Sequence, residues 1–339
     1  MDLRLDRLVE WATHIIRREA DLALDASVEM VSGDASFRRY FRLRGMGRSW
    51  ILVDAPPEKE DNPRFIAIAN EWRSHDVTVP RVIGSDIEQG FMLLEDFGDT
   101  LLWAALHEDS ANEATILALY RGAIEQLVHL QGVPCAELPK YDAELLQTEM
   151  ALFRDWLCQQ QLELALSDSE QQMLTDTFAL LQREALAQPV VTVHRDYHSR
   201  NLMVLEEGKL GVIDFQDAVA GPATYDLVSL LRDCYVRWPQ AMVEELMAHY
   251  WELARPAGRY RGDWAQFVRD VDLMGMQRHI KAAGIFARLN LRDGKPTYLA
   301  DVPNTCQYLV EVSARYPELQ PFHDWLAQRL IPALDKLTQ

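Results

Sequence analysis

The sequence predicts an α+β fold of two lobes, a small N-lobe built on an antiparallel sheet (residues 1–98) and a larger helical C-lobe (residues 99–339). Three observations carry this. Short runs rich in aromatic and β-branched residues, separated by glycine turns, fill the first hundred residues. Beyond Gly98 the apolar residues recur at helical spacing in long stretches. A chain of 339 residues with 48% hydrophobic side chains can bury two cores, at about 150 residues per domain.

Taken in order, Leu5, Leu8, Val9, Ala12, Ile15 and Ile16 make residues 3–19 an amphipathic helix ahead of the sheet. Residues 36–43 and 49–54 read as strands around a Gly45-Met-Gly47 turn, and residues 81–84 and 91–95 as a second pair around a turn from Asp86 to Gly90. Residues 63–74, between the pairs, read as a short helix. Helical stretches follow at 100–106, 112–130, 142–160 and 167–187. An apolar strand, residues 189–193, leads into the richest polar stretch, 194–226, and the remainder is again mostly helical. There is no internal repeat and no low-complexity segment.

Charge narrows the function classes. Thirty-four basic and 52 acidic residues give a net charge of −18, which repels nucleic acid and anionic lipid surfaces at long range. No run reaches the roughly 18 apolar residues of a membrane span, and the charged N-terminus lacks the apolar core of a signal peptide. Cys135, Cys158, Cys234 and Cys306 are dispersed without metal or redox spacing, so they read as reduced thiols. A cytoplasmic location is expected, and nothing specifies an oligomeric state.

The chemistry concentrates at 194–226. Residues 202–205 and 210–214 read as two strands around the turn 206–209, pairing positions whose numbers sum to 415, so that Leu205 faces Leu210 and Asn201 faces Asp214. Directly opposed side chains lie about 5 Å apart, which converges an amide oxygen and a carboxylate on one point. Two protein oxygens suit Mg²⁺, which keeps waters and completes its shell with substrate phosphates. Asp196, five residues before Asn201, is the candidate general base beside that metal, with His198 close enough to assist the substrate side. Base, amide ligand and carboxylate ligand in this order are the parts of phosphoryl transfer. The bland alternative is that Asp196 and Asn201 satisfy a tight turn while Asp214 caps the next segment; three such residues meeting at one hairpin favour the metal site. A zinc reading of His194 and His198, at i, i+4, needs a helix that the flanking strands argue against.

These residues resemble a known family. His194-x-Asp196-x-His198-x-x-Asn201, Ile213-Asp214-Phe215-Gln216-Asp217 and Gly221-Pro-Ala-Thr-Tyr225-Asp226 look like the catalytic-loop and metal motifs of the aminoglycoside phosphotransferase and choline kinase superfamily, whose fold is protein-kinase-like. The resemblance implies Asp196 as catalytic base, Asn201 and Asp214 as magnesium ligands, ATP as phosphoryl donor, and Asp226 as a buried support of the catalytic loop. It also implies a nucleotide site in the N-lobe: Gly33, Ser36, Phe37 and Arg38 at the phosphate loop, Glu95 and Phe97 at the hinge. One departure stands out. The lysine usual on the third strand is absent; Asp54 stands there, Glu71 lacks its usual partner, and the replacing cation is one of Arg38, Arg39, Arg42 or Lys59.

The combination of Gly33-Asp-Ala-Ser-Phe-Arg-Arg-Tyr-Phe, Asp54-Ala-Pro-Pro-Glu-Lys, Leu94-Glu-Asp-Phe-Gly-Asp and His194-Arg-Asp-Tyr-His-Ser-Arg-Asn is similar to a bacterial subgroup, the anomeric N-acetylmuramate and N-acetylglucosamine kinases of peptidoglycan recycling. This implies an amino-sugar substrate phosphorylated at C1. Arg278 or Lys281 is then the candidate partner of the lactyl carboxylate of N-acetylmuramate, against the alternative that Arg278, Lys281 and Arg288 are an ordinary solvated basic stripe. Met274, Met276 and Phe286 read as core packing. A cationic acceptor, an aminoglycoside or choline-like amine drawn to an acidic cleft, is the main alternative, and a nucleotide-binding pseudokinase the lesser one.

Overall fold

A computed structural model of the chain describes residues 2–19, 27–32, 37–45 and 47–337. They form two compact units, Met1–Ala111 with Arg200–Asp217, and Asn112–Ser199 with Ala218–Gln339.

The first unit is built on one antiparallel sheet in the order β1-β2-β3-β5-β4. Its strands are β1 (Ser27–Ser32), β2 (Arg39–Gly45), β3 (Arg48–Asp54), β4 (Val82–Asp86) and β5 (Phe91–Glu95). The helix α1 (Leu3–Glu19) covers one face, where Leu8, Ala12 and Ile16 bury against Phe41, Leu43, Leu52, Phe91 and Leu93. The alternate residues Val53, Met92 and Leu94 are buried as well, as the two-residue period of a sheet covered on both faces requires. The helix α2 (Asn62–Ser74) is capped by Asp61 with Pro63 in its first turn, and buries Phe65, Ile68, Ala69 and Trp72.

A short helix α3 (Leu102–Leu106) and a hairpin complete this unit. The sequence division at 98/99 puts residues 200–217 in the C-lobe, whereas the hairpin groups with the first unit. The reason is backbone pairing: the Val204 N–H donates to Thr100 O and the Val212 N–H to Thr78 O, both at 2.8 Å, and Leu101 bridges Met203.

The second unit is helical: α4 (Glu113–Leu130), α5 (Ala143–Leu152), α6 (Asp168–Leu186), α7 (Tyr225–Leu231), α8 (Gln240–Ala254), α9 (Trp264–Asp293), α10 (Val302–Ser313), α11 (Gln320–Trp325) and α12 (Ile331–Leu337). The helix expected at 142–160 becomes π-helical from Phe153 to Gln161. There it meets α9 backbone to backbone: a Cβ at Gly284 would lie 2.4 Å from Leu152 C and Phe153 N, so only glycine permits the approach. Thirty-residue α9 runs from its Asp263 cap to a left-handed Gly294 and is buried almost all round over its middle. A two-stranded ribbon joins β6 (Val190–Val193) to β9 (Val219–Pro222), a strand the sequence reading missed.

Candidate active site

The catalytic loop lies in the second unit, where β6 ends at Val193 and residues 194–199 leave regular structure, so His194 and His198 are not on a helix. Two buried carboxylates clamp it. Asp226, in the first turn of α7, accepts from the His194 N–H at 2.6 Å and the Arg195 N–H at 3.0 Å. Between them they hold Arg195 at φ +78°, a left-handed conformation that a non-glycine residue keeps only when its surroundings impose it. Burial raises the Asp226 carboxyl to about 6, against the lowering effect of His194 and these two bonds.

Asp233, 1% exposed, holds the other end. One oxygen accepts from the Ser199 N–H at 3.1 Å and the Ser199 hydroxyl at 2.5 Å, and the other from the Tyr235 N–H at 3.0 Å. Sequence reasoning missed this residue. Within the loop, His194 Nδ1 accepts from the Asp196 N–H at 3.2 Å, which fixes the imidazole and orders the turn.

Asp196 is partly buried at the centre of a positive field. Burial pushes its carboxyl up, but the charges of Lys281, His198, His194 and Arg278 together bring it below the ordinary carboxylate value. Burial holds His198 below the usual imidazole value, so its ring is neutral at pH 7, edge-on to Tyr235 at 5.4 Å.

Lys281 and Arg278 are buried, at 7% and 6% exposure, which removes the reading of a solvated stripe. Their partners differ. The Lys281 ammonium lies 3.0 Å from Glu149 and donates to the Tyr225 hydroxyl at 2.9 Å. Glu149, on α5, also pairs with Arg195 at 2.6 Å and accepts from Tyr141, and is another residue the sequence did not single out. Arg278 donates to Cys234 Sγ at 3.6 Å, and among the described residues no carboxylate lies within 4 Å of it. Met274, Met276 and Phe286 are core residues, as read.

The metal candidates lie on the hairpin of the first unit, β7 (Leu202–Val204) and β8 (Leu210–Val212). Its register corrects the expected one by a residue: Leu202 pairs with Val212 and Val204 with Leu210, sums of 414, and Leu205 closes on Lys209. The turn closes over three residues, Glu206–Gly208, where four were expected, because Glu207 and Gly208 both turn left-handed, at φ +59° and +74°. Asn201 therefore sits opposite Ile213. Its side chain still meets Asp214, Nδ2 to Oδ2 at 3.3 Å, because Asp214 adopts φ +64° and so breaks the strand alternation. Gln216 holds the other Asp214 oxygen at 2.8 Å. Here the amide nitrogen rather than its oxygen faces the exposed carboxylate, and with the amide turned over the pair would fit a hard divalent cation that retains water. Among the described residues no group of three or more His, Cys, Asp or Glu side chains offers an alternative metal site.

Of the expected nucleotide residues, Gly33 and Ser36 lie outside the described residues. Phe37 is exposed beside Lys59, and its N–H donates to Glu60. Arg38 is 3% exposed and pairs with Glu60 at 3.1 Å. Glu95 ends β5 and accepts from the Arg81 N–H and from Arg73. Phe97 lies against the hairpin, where a Cβ on Gly211 would fall 2.5 Å from its ring. Asp54 is 1% exposed and ligated by Arg4 and Arg39, while Glu71 pairs with His75 at the surface.

Residues 27–264 match the phosphotransferase enzyme family. The chain is 42% identical to the N-acetylmuramate/N-acetylglucosamine kinase of Pseudomonas putida over 96% of this chain and 97% of the relative. It is 44% identical to that of Pseudomonas aeruginosa over 87% and 86%. Among solved structures, choline kinase from Cryptosporidium parvum superposes with a TM-score of 0.61 at 12% identity, covering 95% of this chain and 99% of that one, which shows a shared fold. The chain belongs to the phosphotransferase enzyme family.

Proposed function

We propose that the chain transfers the γ-phosphoryl group of ATP to the anomeric C1 hydroxyl of N-acetylmuramate or N-acetylglucosamine, in the cytoplasmic recycling of peptidoglycan sugars. The names of its relatives support the substrate class, and one observation of the structure supports the position: the carboxylate of Asp196 is a weakened base, held below the ordinary carboxylate value by Lys281 first, then by His198, His194 and Arg278. A general base works best when matched to the proton it takes, and a hemiacetal hydroxyl is more acidic than an ordinary alcohol. Asp196 takes that proton as the C1 oxygen bonds to phosphorus, and ADP leaves. Asn201 and Asp214 would hold a magnesium ion, whose charge when bound offsets that of the phosphates.

Of the two cations near Asp196, Arg278 is the better reader of the lactyl carboxylate, since Lys281 already has Glu149 and Tyr225. The same two cations speak against an ammonium acceptor, which they would repel. A panel of amino sugars, aminoglycosides and choline with ATP and Mg²⁺ tests the reading, with the product identified by phosphorus NMR. Phosphate at C1 of the amino sugars supports it; phosphate at C6, or turnover of the amines alone, overturns it.

A further inference from the structure

An acidic protein that binds a polyphosphate has to offset its charge with fixed cations as well as a metal. The first unit offers four basic side chains around the start of β2 and its neighbours, and the structure sorts them. Arg39 shares Asp54 with Arg4 and also pairs with Asp2. Arg42 is fixed by Asp96, Asp99 and the Gly98 carbonyl. Lys59 is exposed, 5.2 Å over the ring of Phe37. Arg38 is as buried as Arg42, at 3% exposed, but it lies over Phe65, which packs on Phe215, the residue after Asp214.

We infer that Arg38, positioned by Glu60, is the residue that takes the phosphates of the nucleotide, in a role no residue of β3 fills. This rests on the ATP-dependent reading above. Glu60 fixes both the side chain and its approach, since one oxygen lies 3.1 Å from Arg38 Nη2 and the other accepts from the preceding Phe37 N–H at 3.1 Å. The guanidinium lies 5.3 Å over Phe65, and Phe65 packs 4.8 Å from Phe215, the residue after Asp214. A guanidinium suits the place better than an ammonium would: it stacks on aromatic faces, and its five donors let it hold a carboxylate and a phosphate oxygen together.

The test is equilibrium binding of ATP, ADP and adenosine, with Mg²⁺, to the full chain by calorimetry. Arg38→Gln is expected to weaken ATP and ADP about ten- to a hundredfold, the worth of a charge-assisted hydrogen bond, and to leave adenosine within about twofold. Because that variant strips the half-buried Glu60 of its ion pair, the double variant Arg38→Met, Glu60→Gln removes both charges and keeps a foldable neutral pair. It should show the same loss for the phosphate-bearing ligands, while Glu60→Gln alone, which keeps the cation, loses much less. Equal losses for adenosine and ATP, unchanged ATP affinity in the double variant, or transfer of the phosphate-dependent loss to Lys59→Gln would each overturn the assignment. If the wild-type protein itself holds ATP no more tightly than adenosine, the nucleotide reading falls and takes this inference with it.

Discussion

Replacing Asp233 by alanine attacks the catalytic loop without touching Asp196. The carboxylate accepts from the Ser199 N–H and hydroxyl and from the Tyr235 N–H, and Ser199 is fully buried. The hydroxyl can rotate to another acceptor, but the two backbone donors cannot, and each buried donor left unmade costs about 1–3 kcal/mol. A loss of roughly 3–5 kcal/mol in unfolding free energy is therefore expected, read from the urea midpoint at unchanged slope. Turnover should fall further than stability alone explains. Freeing one end of the loop that carries Asp196 shifts the base, and misplacement on the ångström scale is worth about a hundredfold in rate. Asp233→Asn keeps one acceptor oxygen and should lose about half as much stability. An Asp233→Ala protein with the wild-type urea midpoint and normal kcat would refute the clamp.

Three further outcomes follow from the same geometry. Arg278→Ala should raise KM for N-acetylmuramate about tenfold or more and leave N-acetylglucosamine, which lacks the carboxylate, nearly unchanged, whereas Lys281→Ala, which strips Glu149 of a partner, should impair both sugars. Asp214→Ala should abolish magnesium-dependent activity, with Asn201→Ala weaker in the same direction and Mn²⁺ able to replace Mg²⁺ in the wild type; normal metal dependence in either variant would exclude the pair as ligands. Asp226, raised to about 6, binds its proton more tightly folded than unfolded, so its contribution is full below about pH 4, declines as pH rises to about 6, and amounts to about 3 kcal/mol at most. Asp226→Asn should remove that part of the pH dependence of stability, and an unchanged profile between pH 4 and 6 would argue against a buried, raised carboxyl.

What the sequence made legible was local. Asp196, Asn201 and Asp214 fall within nineteen positions of one another, and the α1 stripe, the hairpin turns and most helix boundaries rest on contacts a few residues apart. The register of β7 and β8 differs by one from the expected one because residue types do not fix whether a Glu-Glu-Gly-Lys connection closes over three or four residues; the left-handed backbone at Glu207 decides it. Asp233 and Glu149 act on partners 34 and 46 positions away, and Arg38 and Glu60 are 22 apart, so no spacing rule reaches them. A signal did exist for Asp233. It falls within the run Tyr225-Asp-Leu-Val-Ser-Leu-Leu-Arg-Asp-Cys, too apolar to be exposed, and a charge buried there needs a partner. Likewise the alternative of a solvated stripe at Arg278 and Lys281 stood open in the sequence because the mixed composition of α9 conceals that it is buried nearly all round.

The division of labour between Asp196 and the Asn201–Asp214 pair is tested most directly by Asp196→Asn, measured for Mg²⁺·ATP affinity and for single-turnover rate with N-acetylmuramate. The expected result is ATP affinity within about twofold of wild type and a rate lower by about 10²–10⁴, the usual worth of a general base, tending to the lower figure because the anomeric hydroxyl is already acidic. Loss of ATP affinity with a normal rate at saturation would contradict it.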